Sequence, residues 1–271
     1  MQRSIKYLNF WKKYGPYALV AGGSNGLGAA FAEALARRGL NLVLIAREIE
    51  RLEETAKKIR EKYSVDVTTF AADLADFEKT KTFLSDFKHP INILVYNAAF
   101  APIGLFENTS EDNLSLAASV NVRTPLLLVK YLSGAMIQNE RGGIVLMSSL
   151  AGGQGSPNLA AYAATKAFNA VLAEGLWKEL KPHGIDVIGC CAGAILTPGY
   201  ENANSDRAKD EKPAPGTMTA KDVAEQTLNA LGKGPIIIPG TVNKIARFLL
   251  TRLLTKKAAI SIMSSNTGGL S

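Results

Sequence analysis

The sequence is short of several things, and each shortage excludes something. Cysteine occurs twice in 271 residues, as the adjacent pair Cys190 and Cys191 inside an apolar run. Neighbouring cysteines bridge only with strain, so no disulfide framework is expected, and this usage fits a reducing, cytoplasmic setting. No uncharged apolar run approaches the roughly 18 residues of a membrane span. The opening MQRSIKYLNFWKKYGPYALV mixes charges with aromatics and lacks the unbroken apolar core of an export signal. Neither a span nor an export signal is therefore expected, and no internal repeat or low-complexity stretch is evident.

Acid is missing from the end of the chain. Between Gln226 and Ser271 there is no Asp or Glu, while Lys233, Lys244, Arg247, Arg252, Lys256 and Lys257 all fall there. The net charge of +7 belongs to this tail, because the first 225 residues hold 25 basic and 24 acidic side chains. Charge so localised argues against nucleic acid as a partner of the whole domain. Within the tail, KIARFLLTRLLTKKAAISIMSS (244–265) interleaves apolar residues with cations, the pattern of an amphipathic helix. The favoured reading is a packed helix that completes the fold or an oligomer interface, in a homodimer or homotetramer. The second reading is peripheral contact with anionic lipid or with a charged carrier of the substrate.

What is present suits one globular domain with a full core: 47% of residues are hydrophobic and 20% charged. Short, nearly all-apolar strands are expected at 17–22 (YALVAG), 41–46 (NLVLIA), 65–73 (VDVTTFAAD), 91–99 (INILVYNAA), 142–150 (GGIVLMSSL), 184–193 (GIDVIGCCAG) and 235–239 (PIIIP). Helical patterns separate them, as in Leu27 to Arg38, closed by Gly39, and Glu48 to Lys62. Apolar strands alternating with helices predict an α/β fold: a Rossmann-like, doubly wound parallel sheet of about seven strands with helices on both faces. The chain thus reads as a single domain over 1–271, with a core from about 15 to 240, a loop at 197–217 rich in Asn, Asp, Lys and Pro, and a basic extension at 241–271.

Between the first strand and the first of these helices lies AGGSNGLG (21–28). Gly22, Gly26 and Gly28 form G-x-x-x-G-x-G, in which missing side chains permit a tight turn and close approach of a pyrophosphate to a helix N-terminus. The second strand ends at Ala46-Arg47, where an acidic residue would accept from the 2'-hydroxyl of NAD; an arginine instead suits the 2'-phosphate of NADP. NADP(H) is therefore favoured over NAD(H). Asp73, at the end of the third strand, is expected near the adenine.

Tyr162 and Lys166 in YAATK stand four residues apart, on one helical face. Ser149 precedes Tyr162 by thirteen residues and ends a buried strand, at the carboxyl edge where such sheets bind ligands. Asn121, in SVNVRTP, is polar in an otherwise apolar helical context. A phenol is a poor base at neutral pH, and a nearby cation favours its phenolate. Hydride arriving on a carbonyl carbon puts negative charge on oxygen, so a proton donor and hydrogen-bond donors aimed at that oxygen are what the reaction needs.

With these motifs in order, AGGSNGLG, Asp73-Leu74, YNAA (96–99), Asn121, Ser149, YAATK and CAGAILT (191–197), the chain resembles the short-chain dehydrogenase/reductase family from about Tyr17 to Pro239. The resemblance implies Tyr162 as acid/base, Lys166 as its pKa modifier and ribose ligand, Ser149 as the hydroxyl that orients the carbonyl, and Asn121 as the holder of a relay water. It also implies a coenzyme site made of Gly22, Ser24, Asn25, Gly26, Leu27, Gly28, Arg47, Asp73, Leu74, Asn97, Tyr162, Lys166, Ile195 and Thr197, without a metal. Ala21, Ala99 and Ala192 depart from the family's usual Thr, Gly and Pro, but none of them removes a group that handles a proton. The expected partner is a small carbonyl or alcohol. The scarcity of charge around the motifs favours a hydrophobic one, such as an acyl chain or steroid. An NAD-linked alcohol dehydrogenase and a non-catalytic dinucleotide-binding sensor or scaffold are the alternatives.

Overall fold

The structure, a computed structural model, describes residues 5–197 and 214–267. Residues 198–213, most of the expected substrate loop, lie outside the described residues. An N-terminal helix α1 (Ile5–Tyr14), not anticipated from the sequence, leads into β1 (Tyr17–Ala21). There follow α2 (Gly26–Arg37), β2 (Asn41–Ala46), α3 (Ile49–Lys62), β3 (Val67–Ala71), α4 (Phe77–Asp86) and β4 (Ile91–Tyr96). The second half holds α5 (Glu111–Ala118), a π turn (Ser119–Arg123), α6 (Thr124–Gln138), β5 (Gly142–Ser149), α7 (Ala160–Leu180) and β6 (Ile185–Ala192). After these come β7 (Ile195–Leu196), β8 (Met218–Thr219), α8 (Ala220–Ala230), β9 (Ile236–Ile237), α9 (Thr241–Phe248) and α10 (Lys256–Thr267).

Seven strands form one sheet in the order β3-β2-β1-β4-β5-β6-β9, and every pairing in it is parallel. The expected all-apolar strands are buried on both faces because each alternates its side chains between two cores. Ala18 and Val20 of β1 join Leu42, Leu44, Ile93 and Val95 against α2 and α8, through Phe31, Leu35 and Leu228. Leu19 and Ala21 point the other way, with Val43, Ile45, Leu94 and Ile144, toward Leu128 and Leu132 of α6. Burying each such large side chain contributes roughly 1.5–3 kcal/mol, which is why the short strands hold without help from polar pairs.

The strand order reverses direction between β1 and β4, and this switch point opens a crevice at the carboxyl ends of the two strands. The two flanks are also tied by charge. Arg38, which caps α2 and is almost wholly buried, donates to both carboxylate oxygens of Glu225 in α8 at 2.8 Å and to the Asn229 side chain at 3.1 Å. β7 and β8 pair in a separate two-stranded ladder that bridges the two feet of the 197–217 loop, a feature absent from the sequence expectation. Cys190 and Cys191 are both free and buried in β6.

Candidate active site

The crevice at the switch point is a cavity of about 490 Å³ lined by Gly22, Ser24, Asn25, Gly26 and Leu27 after β1, and by Ala46 and Arg47 after β2. Asp73 and Leu74 after β3, Asn97 to Phe100 after β4, and Ile195 and Thr197 after β6 complete it, with Val120 of the π turn. Every residue expected to hold a coenzyme therefore lines the cavity, apart from Gly28, Tyr162 and Lys166.

Gly28 acts from behind the wall. A methyl placed on it would sit 1.7 Å from the Gly22 carbonyl oxygen, so only a hydrogen lets α2 start this close to the strand. Gly22 itself has φ +82°, and Asn97 seals the turn by donating its Nδ2 to the same Gly22 carbonyl at 3.1 Å. No side chain caps the first turn of α2. Its N–H groups therefore face the cavity available to an anion, and the cradle fits the pyrophosphate of a dinucleotide. Arg47 is exposed at the rim. Its neighbour Glu48, the carboxylate best placed to oppose a phosphate there, is paired with Arg51 at 3.1 Å. Asp73 turns one oxygen back to the Ala75 N–H at 2.9 Å, which fixes its carboxylate at the cavity wall.

Ser149, Tyr162 and Lys166 do not line this cavity; they stand together at the end of β5 and the start of α7. The Ser149 hydroxyl stands close enough to the Tyr162 phenol to favour its anion. Ser149 Oγ accepts the Ala151 N–H at 3.2 Å, which leaves its own proton available to a partner in the site. Lys166, 3% exposed, donates its ammonium to the Met147 carbonyl at 3.0 Å and lies 5.5 Å from the centroid of the Tyr162 ring. Burial raises the Tyr162 phenol above its ordinary range, and the Ser149 hydroxyl pulls in the opposite direction. Burial lowers Lys166 to about 8. In this arrangement the phenol is raised rather than depressed, because desolvation of its anion outweighs what its neighbours offer.

Asn121 is fully buried in the π turn. Its side chain exchanges two hydrogen bonds with Phe100, accepting from the backbone N–H at 2.8 Å and donating to the carbonyl at 2.7 Å. A further bond from Asn121 Nδ2 reaches Thr165 Oγ1 at 3.0 Å. Both amide hydrogens are thus engaged by protein groups. The Asn121 carbonyl accepts from Asn169 Nδ2 at 2.9 Å. The residue fastens the cavity wall at Phe100 to the helix that carries Tyr162.

Sequence reasoning passed over Thr165, Asn169 and Gly152. Thr165 donates to the Tyr162 carbonyl at 2.8 Å while it accepts from Asn121. Tyr162, Thr165, Lys166 and Asn169 form an i, i+3, i+4, i+7 stripe of polar residues in an alanine-rich helix, and that spacing was a readable signal of a buried polar face. Gly152 lets the loop after Ser149 lie directly on α7, since a methyl there would be 2.7 Å from the Ala167 nitrogen. No signal in a single sequence marks that close approach.

Residues 16–208 match the family model of the short chain dehydrogenases. Among individual proteins, the chain is 29% identical over 238 residues to the 7beta-hydroxysteroid dehydrogenase of Clostridium sardiniense, covering 88% of this chain and 90% of that one. It is 30% identical over 242 residues to the very-long-chain 3-oxoacyl-CoA reductase of Mus musculus, covering 86% and 76%. Among solved structures, a short-chain dehydrogenase from Sphingobium yanoikuyae in complex with NADPH superposes with a TM-score of 0.75 at 30% identity, over 84% of this chain and 89% of that one.

Proposed function

The chain belongs to the short-chain dehydrogenase/reductase family, oxidoreductases that act on CH–OH and C=O groups with NAD(P), and on that premise we propose that it reduces the carbonyl of a hydrophobic substrate with NADPH, Tyr162 serving as the acid. The observation that carries this reading is the juxtaposition of Ser149, Tyr162 and a buried Lys166, whose ammonium lies 5.5 Å from the centroid of the Tyr162 ring. Reduced nicotinamide supplies the hydride when bound. The rest is done by the chain's own residues.

As negative charge grows on the carbonyl oxygen, the Ser149 and Tyr162 hydroxyls are the donors placed to meet it. Burial keeps the proton on Tyr162 at neutral pH, which suits an acid waiting for an oxyanion and favours the reductive direction. Once the proton has left, the Ser149 hydroxyl would stabilise the phenolate, with the Lys166 ammonium, fixed by its bond to the Met147 carbonyl 5.5 Å from the ring centroid, as the nearby cation. Gly22, Gly26 and the first turn of α2 would hold the pyrophosphate, with Arg47 on a 2'-phosphate and Asp73 beside the adenine. Support for NADP(H) over NAD(H) comes from Arg47 at the cavity rim, from the pairing of Glu48 with Arg51, and from the NADPH-bound relative. Support for a hydrophobic substrate comes from relatives named for steroid and long acyl substrates.

The test is NADPH oxidation measured over steroid, acyl and quinone carbonyls with wild type and Tyr162→Phe. Loss of the acid is expected to lower turnover by about 10²–10⁴-fold while NADPH still binds. Near-wild-type turnover in that variant removes Tyr162 from the mechanism. Tight NADPH binding with no turnover of any carbonyl or alcohol favours a sensor or scaffold instead.

A further inference from the structure

α9 is amphipathic the wrong way round for a surface helix, which ordinarily turns its apolar stripe toward the core. Its inward side is polar. Asn243 is buried and donates to the carbonyls of Gly216 at 2.9 Å and Pro239 at 3.0 Å. Arg247 is half-buried, with its guanidinium packed so closely on Gly153 that a methyl there would be 2.6 Å from Nη1. The outward side is apolar. Val242, Ile245, Phe248 and Leu253 are each more than half exposed, and Leu249 is exposed beside them. Residues 242, 245, 248 and 249 follow the i, i+3, i+6, i+7 spacing of one helical face, so the exposed side chains are contiguous.

Around this face stand Lys244, Arg252, Lys256 and Lys257, all exposed, in a stretch that holds no Asp or Glu from Gln226 to Ser271. We propose that α9 and the turn after it dock on an anionic membrane surface, the apolar residues entering the headgroup boundary and the flanking cations meeting lipid phosphate. A second copy of the chain fits less well. A two-fold contact through this face would bring the four cations of both copies to one interface, with no acid in the segment to offset them. Among the described residues no helix is long and apolar enough to cross a membrane, so the mode is surface attachment. Asn243 and Arg247 would join the docked helix to the foot of the 197–217 loop and to the turn after Ser149.

The experiment is cosedimentation of the full chain with vesicles of phosphatidylcholine alone or mixed with phosphatidylglycerol, at about 0.05 M and about 0.5 M salt, a range over which the screening length falls severalfold. The expected result is a bound fraction several times higher on the mixed vesicles, lost at high salt. It should also be lost in the Phe248→Asp, Leu253→Asp double variant with its circular dichroism unchanged. Wild type left in the supernatant at low salt overturns the proposal, as does equal binding to both vesicle types or a variant that binds like wild type. Sedimentation velocity without lipid supplies the rival outcome: a dimer that the double variant dissociates would mean a second copy covers the face.

Discussion

Asn121 and Phe100 are joined by a reciprocal pair of hydrogen bonds, side-chain amide to backbone amide, 2.8 Å one way and 2.7 Å the other. A polar side chain here takes the place of a neighbouring strand, and it does so where the helix path is widened into a π turn. The wall of the coenzyme cavity and the helix bearing Tyr162 are thereby one unit, with Thr165 as the third point of attachment.

Replacing Asn121 by Leu keeps the branching of the side chain but strips the Phe100 N–H and C=O of their partners and adds bulk at a fully buried site. Each unsatisfied group costs about 1–3 kcal/mol, so a clear fall in melting temperature is expected, together with weaker NADPH binding measured by fluorescence titration. A variant as stable as wild type, with coenzyme affinity unchanged, would show that the Phe100 link is dispensable.

Arg47 is expected to decide between coenzymes. Arg47→Glu would remove a charge-assisted contact and add repulsion, which at about 1.5–3 kcal/mol predicts roughly a tenfold to hundredfold rise in KM for NADPH with little change for NADH. Equal effects on the two coenzymes would take Arg47 out of the argument.

The burial of Lys166 predicts a pH limb. With its value lowered to about 8, the ammonium is charged below that pH and neutral above it. On the proposed mechanism the phenolate left on Tyr162 draws on that charge, so kcat/KM for carbonyl reduction should decline as pH rises through about 8. A profile flat well past that value would mean that the charge on Lys166 is not used.

Away from the site, the Arg38–Glu225 pair makes a statement about stability. Burial opposes ionisation of Glu225, but hydrogen bonds and charge from Arg38 and Arg37 prevail and hold its carboxyl below the ordinary range. The folded value is depressed, so the contribution is complete above about pH 4.5 and is lost as pH falls through the folded value. Glu225→Gln should cost about 2–3 kcal/mol at neutral pH, less than a fully buried pair because Glu225 keeps a solvated edge. Thermal melts of the two proteins should converge in acid. A gap independent of pH would assign the loss to shape rather than charge.

Much of this was legible in the sequence because it is periodic or local. Runs such as NLVLIA and INILVY have one reading, a strand covered on both faces, and their alternation with helices leaves few sheets to choose from. The glycine loop and Ser149 were legible because each sits at a strand end, and Tyr162 with Lys166 because their spacing puts them on one helical face. Thr165 and Asn169 were within reach through their spacing.

The remainder was decided only by tertiary packing. That Lys166 donates a hydrogen bond to the Met147 carbonyl, that desolvation pushes the Tyr162 phenol up, and that Asn121 grips Phe100 all depend on which segments meet across the sheet edge, and no local pattern encodes a desolvation cost. The tail shows the division most clearly. Its amphipathic spacing and its lack of acid were fixed by the sequence, because period and charge are properties of the chain. Which side of α9 faces inward was not, because Asn243 and Arg247 found carbonyls and a glycine surface to bind only once the fold had brought Gly216, Pro239 and Gly153 beside them.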